Sequence, residues 1–347
     1  MRKYFLLLAL AMPFAAAAQY TIEDLGTLAW DFSEAQGISS SGHVVGSSYN
    51  KSGLARAFLW RDGGMTDLGA LGGSFIRSYG NGVNVLDHVV GRSTSQWGAA
   101  TQAFLWVEGE MTVLGTLGGY NSVAYSINDS DQVVGWAEAS GGKLRAFLWE
   151  GGTMNDLGTL PGGDAAIAYG INSLGQVVGF SLIGNRMSRP FLWENGTMTD
   201  LGTLGGRYAA ASAINDSAQA VGISEVSAGG PEHAFLWSGA VMTDLGALGG
   251  ADSYALDINA AGDVVGGSDG RALLWSSGAM TDLNDLLPPG AGWELLSARE
   301  INDAGQIVGY GEHNGDGRAY LMTPVPEPGT FAALSLALLA LARRRRR

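Results

Sequence analysis

Six glutamates fall outside the repeating pattern of the sequence and are the residues best suited to acid–base chemistry: Glu34, Glu138, Glu225, Glu294, Glu300 and Glu312. Two carboxyl groups beside a glycosidic bond can supply the acid and the base, or the acid and the nucleophile, of a glycosidase. We expect these residues in different connectors between strands. That scatter neither forms nor excludes a catalytic pair, so a glycosidase or polysaccharide lyase stays open as a hypothesis.

Aromatic side chains offer a second chemistry, because their flat apolar faces can stack on sugar rings. Every long connector is expected to hold one, and two tryptophans are expected in other loops. The candidates for ligand contact are Phe32, Tyr79, Tyr125, Tyr169, Tyr208, Tyr254 and Trp293 in the long connectors, with Trp97 and Trp136 in the other loops. Packing between repeats would explain the same residues equally well.

Metal-binding patterns are weak in this sequence. It has no cysteine, and its four histidines, His43, His88, His233 and His313, show no metal-ligand spacing such as HExxH. His43 and His88 precede VVG strands and are predicted to face solvent. The acidic turn NDSD at residues 128–131 is similar to calcium-binding turns but lacks the EF-hand pattern. We predict no cofactor and no metal, with calcium as the one ion left open.

Two blocks of constant length alternate along the chain. One places an apolar residue nine positions before an acid or valine: Phe58/Asp67, Phe104/Val113, Phe147/Asp156, Phe191/Asp200, Phe235/Asp244 and Leu273/Asp282. The other places Ile or Val eight positions before glycine: Ile38/Gly46, Val83/Gly91, Ile127/Gly135, Ile171/Gly179, Ile214/Gly222, Ile258/Gly266 and Ile301/Gly309. Each block is typical of a β-hairpin, because Phe, Trp, Val and Ile flank turn residues.

Two hairpins in a repeat of about 44 residues predict four strands, which at that period favours an all-β seven-bladed β-propeller of antiparallel blades. An open β-solenoid is the alternative and would need caps at both ends. The last repeat stops at RAYLM, residues 318–322, and the chain's first repeat begins with the missing half, YTIEDLGTL. We therefore predict that residues 20–28 pair with residues 318–322 and close the ring. The strand ending in Ile-Asn is expected innermost, with the asparagine opening the turn.

Arginine and aspartate recur together in the first block. If Trp149 faces Met154 across the hairpin, Arg145 lies diagonally within reach of Asp156. The predicted structural ion pairs are Arg56/Asp67, Arg145/Asp156, Arg189/Asp200 and Arg271/Asp282, with His233/Asp244 as a weaker version. The split repeat predicts Arg318/Asp24. One repeat has Gln102 and Val113 in the two places, as expected if an unpaired carboxylate is unfavourable there.

Both ends of the chain carry export features. Residues 1–18 combine Arg2 and Lys3 with an apolar run and small residues at Ala16 and Ala18, which predicts a signal peptide. Residues 324–347 resemble the PEP-CTERM sorting signal, with Pro326, Glu327 and Pro328, an apolar segment and five arginines. The resemblance implies cleavage by an exosortase after transient anchoring in the inner membrane. The apolar segment, residues 331–342, is shorter than the roughly 20 residues that span a bilayer.

The repeats between these ends, residues 19–323, also resemble a known family. HAFLW at His233–Trp237, with MTDLGTLGG and GINxxGQVVG elsewhere, is similar to the HAF extracellular repeat, named for His-Ala-Phe. The resemblance covers Tyr20 to Met322. It implies an exported repeat protein and supplies no catalytic residues.

The charge balance bears on possible partners. The chain has a net charge of −13, and seven of its 20 basic residues lie in the two terminal segments. The remaining acidic surface repels nucleic acid. We predict an exported monomeric propeller, processed by signal peptidase and exosortase, that is secreted or held at the outer surface. It would bind biofilm-matrix polysaccharide or a protein partner; a channel-centred enzyme and a purely structural matrix protein are the alternatives.

Overall fold

The computed structural model describes residues 20–72, 77–94, 100–184, 187–249 and 252–325, which form seven four-stranded antiparallel sheets. The predicted seven-bladed β-propeller is confirmed. The strands of blades 1 to 3 are β2 (Phe32–Ile38), β3 (Val44–Tyr49), β4 (Ala55–Arg61) and β5 (Gly64–Asp67); β6 (Ser78–Val83), β7 (Val89–Thr94), β8 (Thr101–Val107) and β9 (Glu110–Val113); and β10 (Gly118–Ile127), β11 (Val133–Ala139), β12 (Leu144–Glu150) and β13 (Thr153–Asp156).

Blades 4 to 6 repeat this order. Their strands are β14 (Gly163–Ile171), β15 (Val177–Ile183), β16 (Met187–Glu194) and β17 (Thr197–Asp200); β18 (Ala209–Ile214), β19 (Ala220–Glu225), β20 (Glu232–Ser238) and β21 (Val241–Gly246); and β22 (Ser253–Ile258), β23 (Val264–Ser268), β24 (Arg271–Ser276) and β25 (Ala279–Asp282). A single turn of 3₁₀ helix, Leu283–Leu286, follows blade 6 within the described ranges. Blade 7 contains β26 (Trp293–Ile301), β27 (Ile307–His313) and β28 (Asp316–Pro324), completed by β1 (Tyr20–Asp24).

The first strand of each meander lies innermost. Residues at the ends of these strands from six or more blades line shared central cavities, whereas the last strands, such as β13, are largely exposed. The Ile-Asn strand lies innermost, as expected, and the strand that precedes Leu-Gly lies at the outer edge of the sheet. Every innermost strand also contains a β-bulge, for example between Ala124 and Ser126 of β10.

The apolar core lies between blades. Seven buried clusters each combine residues of neighbouring blades; one of them packs Val45 and Leu59 of blade 1 against Val89 and Phe104 of blade 2. Because successive side chains of a strand point to opposite faces, each blade contributes to the cluster on either side of it. The blades therefore stabilise one another around the ring.

The glycine of the VVG strand is required by close backbone approach. A Cβ atom on Gly135 would lie only 1.9 Å from the carbonyl oxygen of Val123 on the innermost strand. The bulge beside Ser126 brings these two backbones together. This contact explains why the second block ends in glycine in every blade.

The two ends of the described chain close the ring. β1 pairs antiparallel with β28, so that Tyr20 faces Pro324, Ile22 faces Met322 and Asp24 faces Tyr320. Leu25 continues the contact by donating its N–H to the carbonyl of Ala319 at 3.1 Å. The predicted closure is confirmed, and the open solenoid is excluded; the paired segment lies about two residues later in β28 than expected.

Asparagines form a ring that links the blades. Asn172 opens its turn as predicted, since its Oδ1 accepts the N–H groups of Leu174 at 3.1 Å and Gln176 at 2.9 Å. Its Nδ2 also donates to the carbonyl of Asn215 in the next blade at 3.1 Å. Equivalent Nδ2 bonds join Asn84 to Asn128, Asn128 to Asn172, Asn215 to Asn259, Asn259 to Asn302, and Asn302 to Ser39. We call these six residues the asparagine ring; the sequence predicted their turns but not the link between blades.

A histidine and an arginine replace the missing link between blades 1 and 2. Blade 1 has Ser39 where the other blades have asparagine, and there His43 and Arg61 both bind the carboxylate of Asp87, Arg61 at 2.8 Å. Burial opposes ionisation of Asp87, yet the hydrogen bonds from His43 and Arg61 hold its pKa below the usual value. His88 binds Asp131 of blade 3 at 2.7 Å. The prediction that His43 and His88 simply face solvent was wrong, because this position abuts the next blade's turn.

The hairpin register matches the prediction, with Phe147 opposite Asp156 and Trp149 opposite Met154. Ion pairs occur in several blades: Arg145–Asp156 at 3.6 Å, Arg271–Asp282 at 2.7 Å, His233–Asp244 at 2.9 Å and Arg318–Asp24 at 3.8 Å. His313 lies closer to Asp24, at 2.8 Å. Among the described residues, no ion pair joins Arg56 to Asp67 or Arg189 to Asp200.

A different bond accounts for the recurring aspartate. Its Oδ1 accepts the N–H of the residue two positions later, at 2.8 Å from Asp156 to Gly158. The same bond is made by Asp24, Asp67, Asp200, Asp244 and Asp282. Such a turn is a common role of aspartate. It explains Asp67 and Asp200, for which the predicted arginine pair is not formed.

Removing β1 should open the ring. A chain that starts at Leu25 loses the strand that covers β28 and the buried side chain of Tyr20, a loss of several kcal/mol. We expect its melting temperature, measured by calorimetry, to fall on the order of 10 °C below that of a chain starting at residue 20. Equal melting temperatures would refute closure by this strand.

Breaking one link of the asparagine ring should destabilise the fold. Asn172→Ala leaves the carbonyl of Asn215 and the turn N–H groups without their partner, and we expect the free energy of unfolding to fall by roughly 2–3 kcal/mol. Urea denaturation measures this loss. Asn155→Ala, on an exposed strand, is the matched control and should change the value by less than about 0.5 kcal/mol. Equal effects of the two changes would contradict a linking role.

Candidate functional site

A central channel runs between the innermost strands and holds three cavities. At the face where these strands begin lies a cavity of about 440 Å³, bordered by Tyr49, Tyr79, Tyr125, Tyr169 and Tyr208, which we call the tyrosine mouth. Below it a narrower cavity of about 210 Å³ forms the neck. The opposite face has a cavity of about 240 Å³ lined by residues of the asparagine ring.

The five tyrosines of the mouth come from five consecutive blades, and four of them form ring pairs. The rings of Tyr125 and Tyr169 lie 4.9 Å apart at 57°, and those of Tyr49 and Tyr79 lie 6.3 Å apart. The guanidinium of Arg92 sits 4.3 Å from the centre of the Tyr79 ring, a cation–π contact. These contacts hold an arc of half-buried rings around the opening.

Burial keeps the hydroxyls of Tyr49, Tyr169 and Tyr208 protonated at neutral pH. Burial, followed by the nearby charge of Glu34, raises the pKa of Tyr49 to about 12. Burial likewise raises the pKa of Tyr169 and of Tyr208 above the usual value. Each hydroxyl can therefore donate one hydrogen bond and accept others, as a polyhydroxylated ligand requires.

The neck contains two carboxyl groups from adjacent blades. Asp257 is on β22 and Glu300 is on β26, and both line the neck cavity. Asp257 Oδ2 accepts the N–H of Ile301 at 2.9 Å, and Glu300 Oε2 accepts the N–H of Ile38. Each carboxyl group is thus held against the innermost strand of the following blade.

Both carboxyl groups of the neck titrate above their usual range. Burial raises the pKa of Asp257 to about 6 even though hydrogen bonds from Ile301 and Ile258 oppose the shift. Burial, and then the charge of Asp257, raises the pKa of Glu300 well above its ordinary value. The neck therefore retains a proton at pH values where exposed carboxyl groups have lost theirs.

Asp257 was missed in the sequence, although a pattern points to it. The residue before the last apolar residue of the innermost strand faces the neck, and five blades have a small residue there: Gly37, Gly82, Ser126, Gly170 and Ala213. Blades 6 and 7 have the two acids instead. Space for Glu300 depends on Gly37, because a Cβ atom there would lie 2.8 Å from Glu300 Oε2. Comparing this one position across repeats would have identified the pair.

The irregular glutamates do not converge. All six lie in strands rather than in connectors, which corrects the expectation, and Glu300 alone among them lines the neck. Glu138 accepts the N–H of Tyr120 at 3.0 Å, and Glu225 accepts that of Arg207 at 2.7 Å. Glu34 faces Ser47 across β2 and β3, whereas Glu294 and Glu312 face each other across β26 and β27.

The predicted aromatics divide into two groups. Tyr79, Tyr125, Tyr169 and Tyr208 meet at the tyrosine mouth, on or beside innermost strands rather than in long connectors as expected. The others are placed differently: Phe32 stacks on Tyr49, Tyr254 lies on β22, Trp136 lies on β11, and Trp293 stacks on His313 at 4.6 Å. Trp97 lies outside the described residues. Sequence reasoning missed Tyr49, Gln36, Asn81, Arg92 and Arg299, which also line the mouth.

The acidic turns have partners in neighbouring blades. Asp129 accepts the N–H of Val85 at 3.0 Å, and Asp131 binds Asn84 and His88.

Among the described residues, no group of three or more histidine, aspartate or glutamate side chains is arranged to hold a metal ion. In the same part of the chain, no helix has the length and hydropathy to cross a membrane.

The end of the chain matches a known sorting signal. Residues 324–347 match the family model described as the PEP-CTERM protein-sorting motif, which confirms the motif predicted at Pro326, Glu327 and Pro328. These three residues, like the signal peptide predicted at residues 1–18, lie outside the described residues. No curated protein matches the chain.

Several solved structures resemble the fold at low sequence identity. A gluconolactonase of Xanthomonas campestris, XC5397, is 10% identical, with 88% of this chain and 89% of that chain covered and a TM-score of 0.45. A puromycin-hydrolysing peptidase of Mycobacterium tuberculosis is 14% identical over 85% of this chain, which spans only 49% of that one, with a TM-score of 0.50. The Aleuria aurantia lectin AAL is 10% identical, with 85% and 97% covered and a TM-score of 0.36. At such identities the likeness concerns the fold alone.

The carboxyl pair predicts an unusual pH dependence of stability. A folded-state pKa of about 6 for Asp257, above its unfolded value near 4, means that the folded protein binds the proton more tightly. The resulting stabilisation is present below about pH 4 and is lost as the pH rises through about 6. Glu300, shifted in the same direction, extends the loss to higher pH.

Asp257→Asn should therefore flatten the dependence of melting temperature on pH between about 4 and 7. Calorimetry across this range tests the expectation. Asp62→Asn, at an exposed turn position that asparagine tolerates, is the matched control and should keep the slope of the unchanged protein. An unchanged slope in Asp257→Asn would contradict the assignment.

Proposed function

We propose that this exported propeller is a binding module whose tyrosine mouth takes up a saccharide, such as a segment of extracellular polysaccharide. The observation that carries the proposal is the arc of Tyr79, Tyr125, Tyr169 and Tyr208 around a cavity of about 440 Å³, within the size range of small-ligand sites. Apolar ring faces that carry hydroxyl groups suit a sugar, which presents C–H faces and hydroxyl edges. Asn81, Gln36 and Ser212 add polar groups at the same opening.

The C-terminal motif supports the setting of this function. A PEP-CTERM motif marks an exported protein that is sorted at the membrane and processed by an exosortase. We further propose that the repeats belong with the HAF extracellular repeats that they resemble, that signal peptidase removes the first segment, and that the monomer then stays in the matrix or on the outer surface. A polymer-binding module suits that location.

Hydrolysis is the less favoured role for the channel. Asp257 and Glu300 are paired carboxyl groups, but each accepts a main-chain N–H of the next blade, which holds both against the wall. These bonds explain the two acids as part of the ring. A binding module is therefore favoured over a glycosidase or lyase, and the length of the bound polymer separates the two.

Truncating the tyrosine arc should abolish binding. The protein is run in affinity gels with a panel of extracellular polysaccharides, while the polymer size is followed by size-exclusion chromatography. We expect retardation without shortening, and Tyr169→Ala or Tyr125→Ala should weaken it at least about tenfold, because an aromatic stacking contact contributes about 1.5 kcal/mol.

Tyr120→Ala is the control, since this ring is 79% exposed and lies outside the mouth. Absence of retardation by every polymer, or equal loss in all three variants, would contradict the proposal. Shortened polymer would replace it with the enzyme.

A further inference from the structure

We infer that the saccharide bound at the tyrosine mouth is anionic, a uronate-type sugar whose carboxylate is recognised by Arg299 and Arg92; this rests on the proposed function and adds its ligand class. The first observation is the charge of the lining. Two arginines and no aspartate or glutamate border the mouth, in a chain with 33 acidic and 20 basic residues. Both charged side chains that line the cavity are cationic, in an otherwise acidic protein.

Arg299 presents an unsatisfied guanidinium group to the mouth. It lines both the mouth and the neck, and its Nε is buried without a hydrogen-bond partner. Within the described residues, its guanidinium takes part in no hydrogen bond or ion pair. Such a group offers five N–H donors in a planar fork that matches a carboxylate, and a buried donor without an acceptor is unfavourable.

The repeat pattern indicates that Arg299 is not required by the fold. Its position, two residues before the last apolar residue of the innermost strand, holds Gln36, Asn81, Tyr125, Tyr169, Ser212 and Leu256 in the other blades. No other blade has a charged residue there. The blade architecture tolerates neutral side chains at this place, so the single arginine serves the channel.

The two arginines and three of the five tyrosines occupy different sides of the mouth. Arg299 is in blade 7 and Arg92 in blade 2, whereas Tyr125, Tyr169 and Tyr208 come from blades 3, 4 and 5. A ring stacked on the tyrosines would direct a carboxylate toward the arginines. Among the described residues, no ion pair joins Arg299 to the neighbouring Glu300, whose Oε2 accepts the N–H of Ile38 instead.

The surrounding acidity restricts the ligand further. A net charge of −13 repels a long polyanion except at the mouth itself. The site is therefore suited to a short segment or a chain end, with attraction that weakens as salt is added.

The test compares the same sugar with and without its charge. Oligogalacturonate, oligomannuronate and oligoglucuronate trimers, each as the free acid and as the methyl ester, are titrated into the purified protein by calorimetry. We expect at least one acid to bind roughly tenfold tighter than its ester, as for a hydrogen-bonded charge pair. Arg299→Gln should lower the ratio of acid affinity to ester affinity several-fold, because it removes one of the two guanidinium groups.

Two further variants make the result specific. Arg299→Lys keeps the positive charge but lacks the planar pair of N–H donors that matches a carboxylate. This variant should keep part of the preference for the acid over the ester. Lys143→Gln removes one positive charge from an exposed side chain outside the mouth and should keep all of the preference. Equal binding of acids and esters would overturn the anionic ligand and leave saccharide binding in place. Binding by neither form would overturn both.

Discussion

The pairing of β1 with β28 is the contact on which the channel depends. It joins residues about 300 positions apart and places blade 7 beside blade 1. Glu300 can accept the N–H of Ile38 only because of this closure. Asn302 donates to the carbonyl of Ser39 at the same junction, between blade 7 and blade 1. The neck and the mouth form because β1, from the start of the chain, is the outer strand of blade 7 and so closes the ring.

The bonds between blades show how a repeat protein can close without disulfides. Packing between blades is apolar and largely without direction, whereas the asparagine ring fixes the distance from one turn to the next. Where blade 1 lacks the asparagine, His43 and Arg61 take over the link through Asp87. The substitution of one kind of bond by another keeps the ring complete at its least regular junction.

The fold was largely predictable because its determinants are local and repeated. Constant spacings gave the hairpins, and the split repeat gave the closure, which a single blade could not have revealed. The side-chain links between blades, such as Asn172 to Asn215, were not predictable, because a sequence does not say which turns meet across a blade boundary.

The candidate site was predicted only in part. Tyr79, Tyr125, Tyr169 and Tyr208 were identified from their repeated occurrence, but their place on or beside innermost strands was not. The bulges at Tyr125 and Tyr169, for example, leave no clear mark in the sequence. Asp257 and Arg299 both depart from the repeat. Asp257 lies one residue, and Arg299 two residues, before the last apolar residue of its innermost strand. Functional residues in such a protein are best sought where one blade breaks the pattern of the others.

The central claim is that the tyrosine mouth, and not the asparagine-lined face or the outer surface, is where ligand binds. Nuclear magnetic resonance of protein with labelled tyrosine rings tests it most directly during titration with an acidic trisaccharide. The account predicts shifts for Tyr79, Tyr125 and Tyr169 and none for the exposed Tyr120. Shifts confined to Tyr120, or spread evenly over all tyrosines, would contradict it.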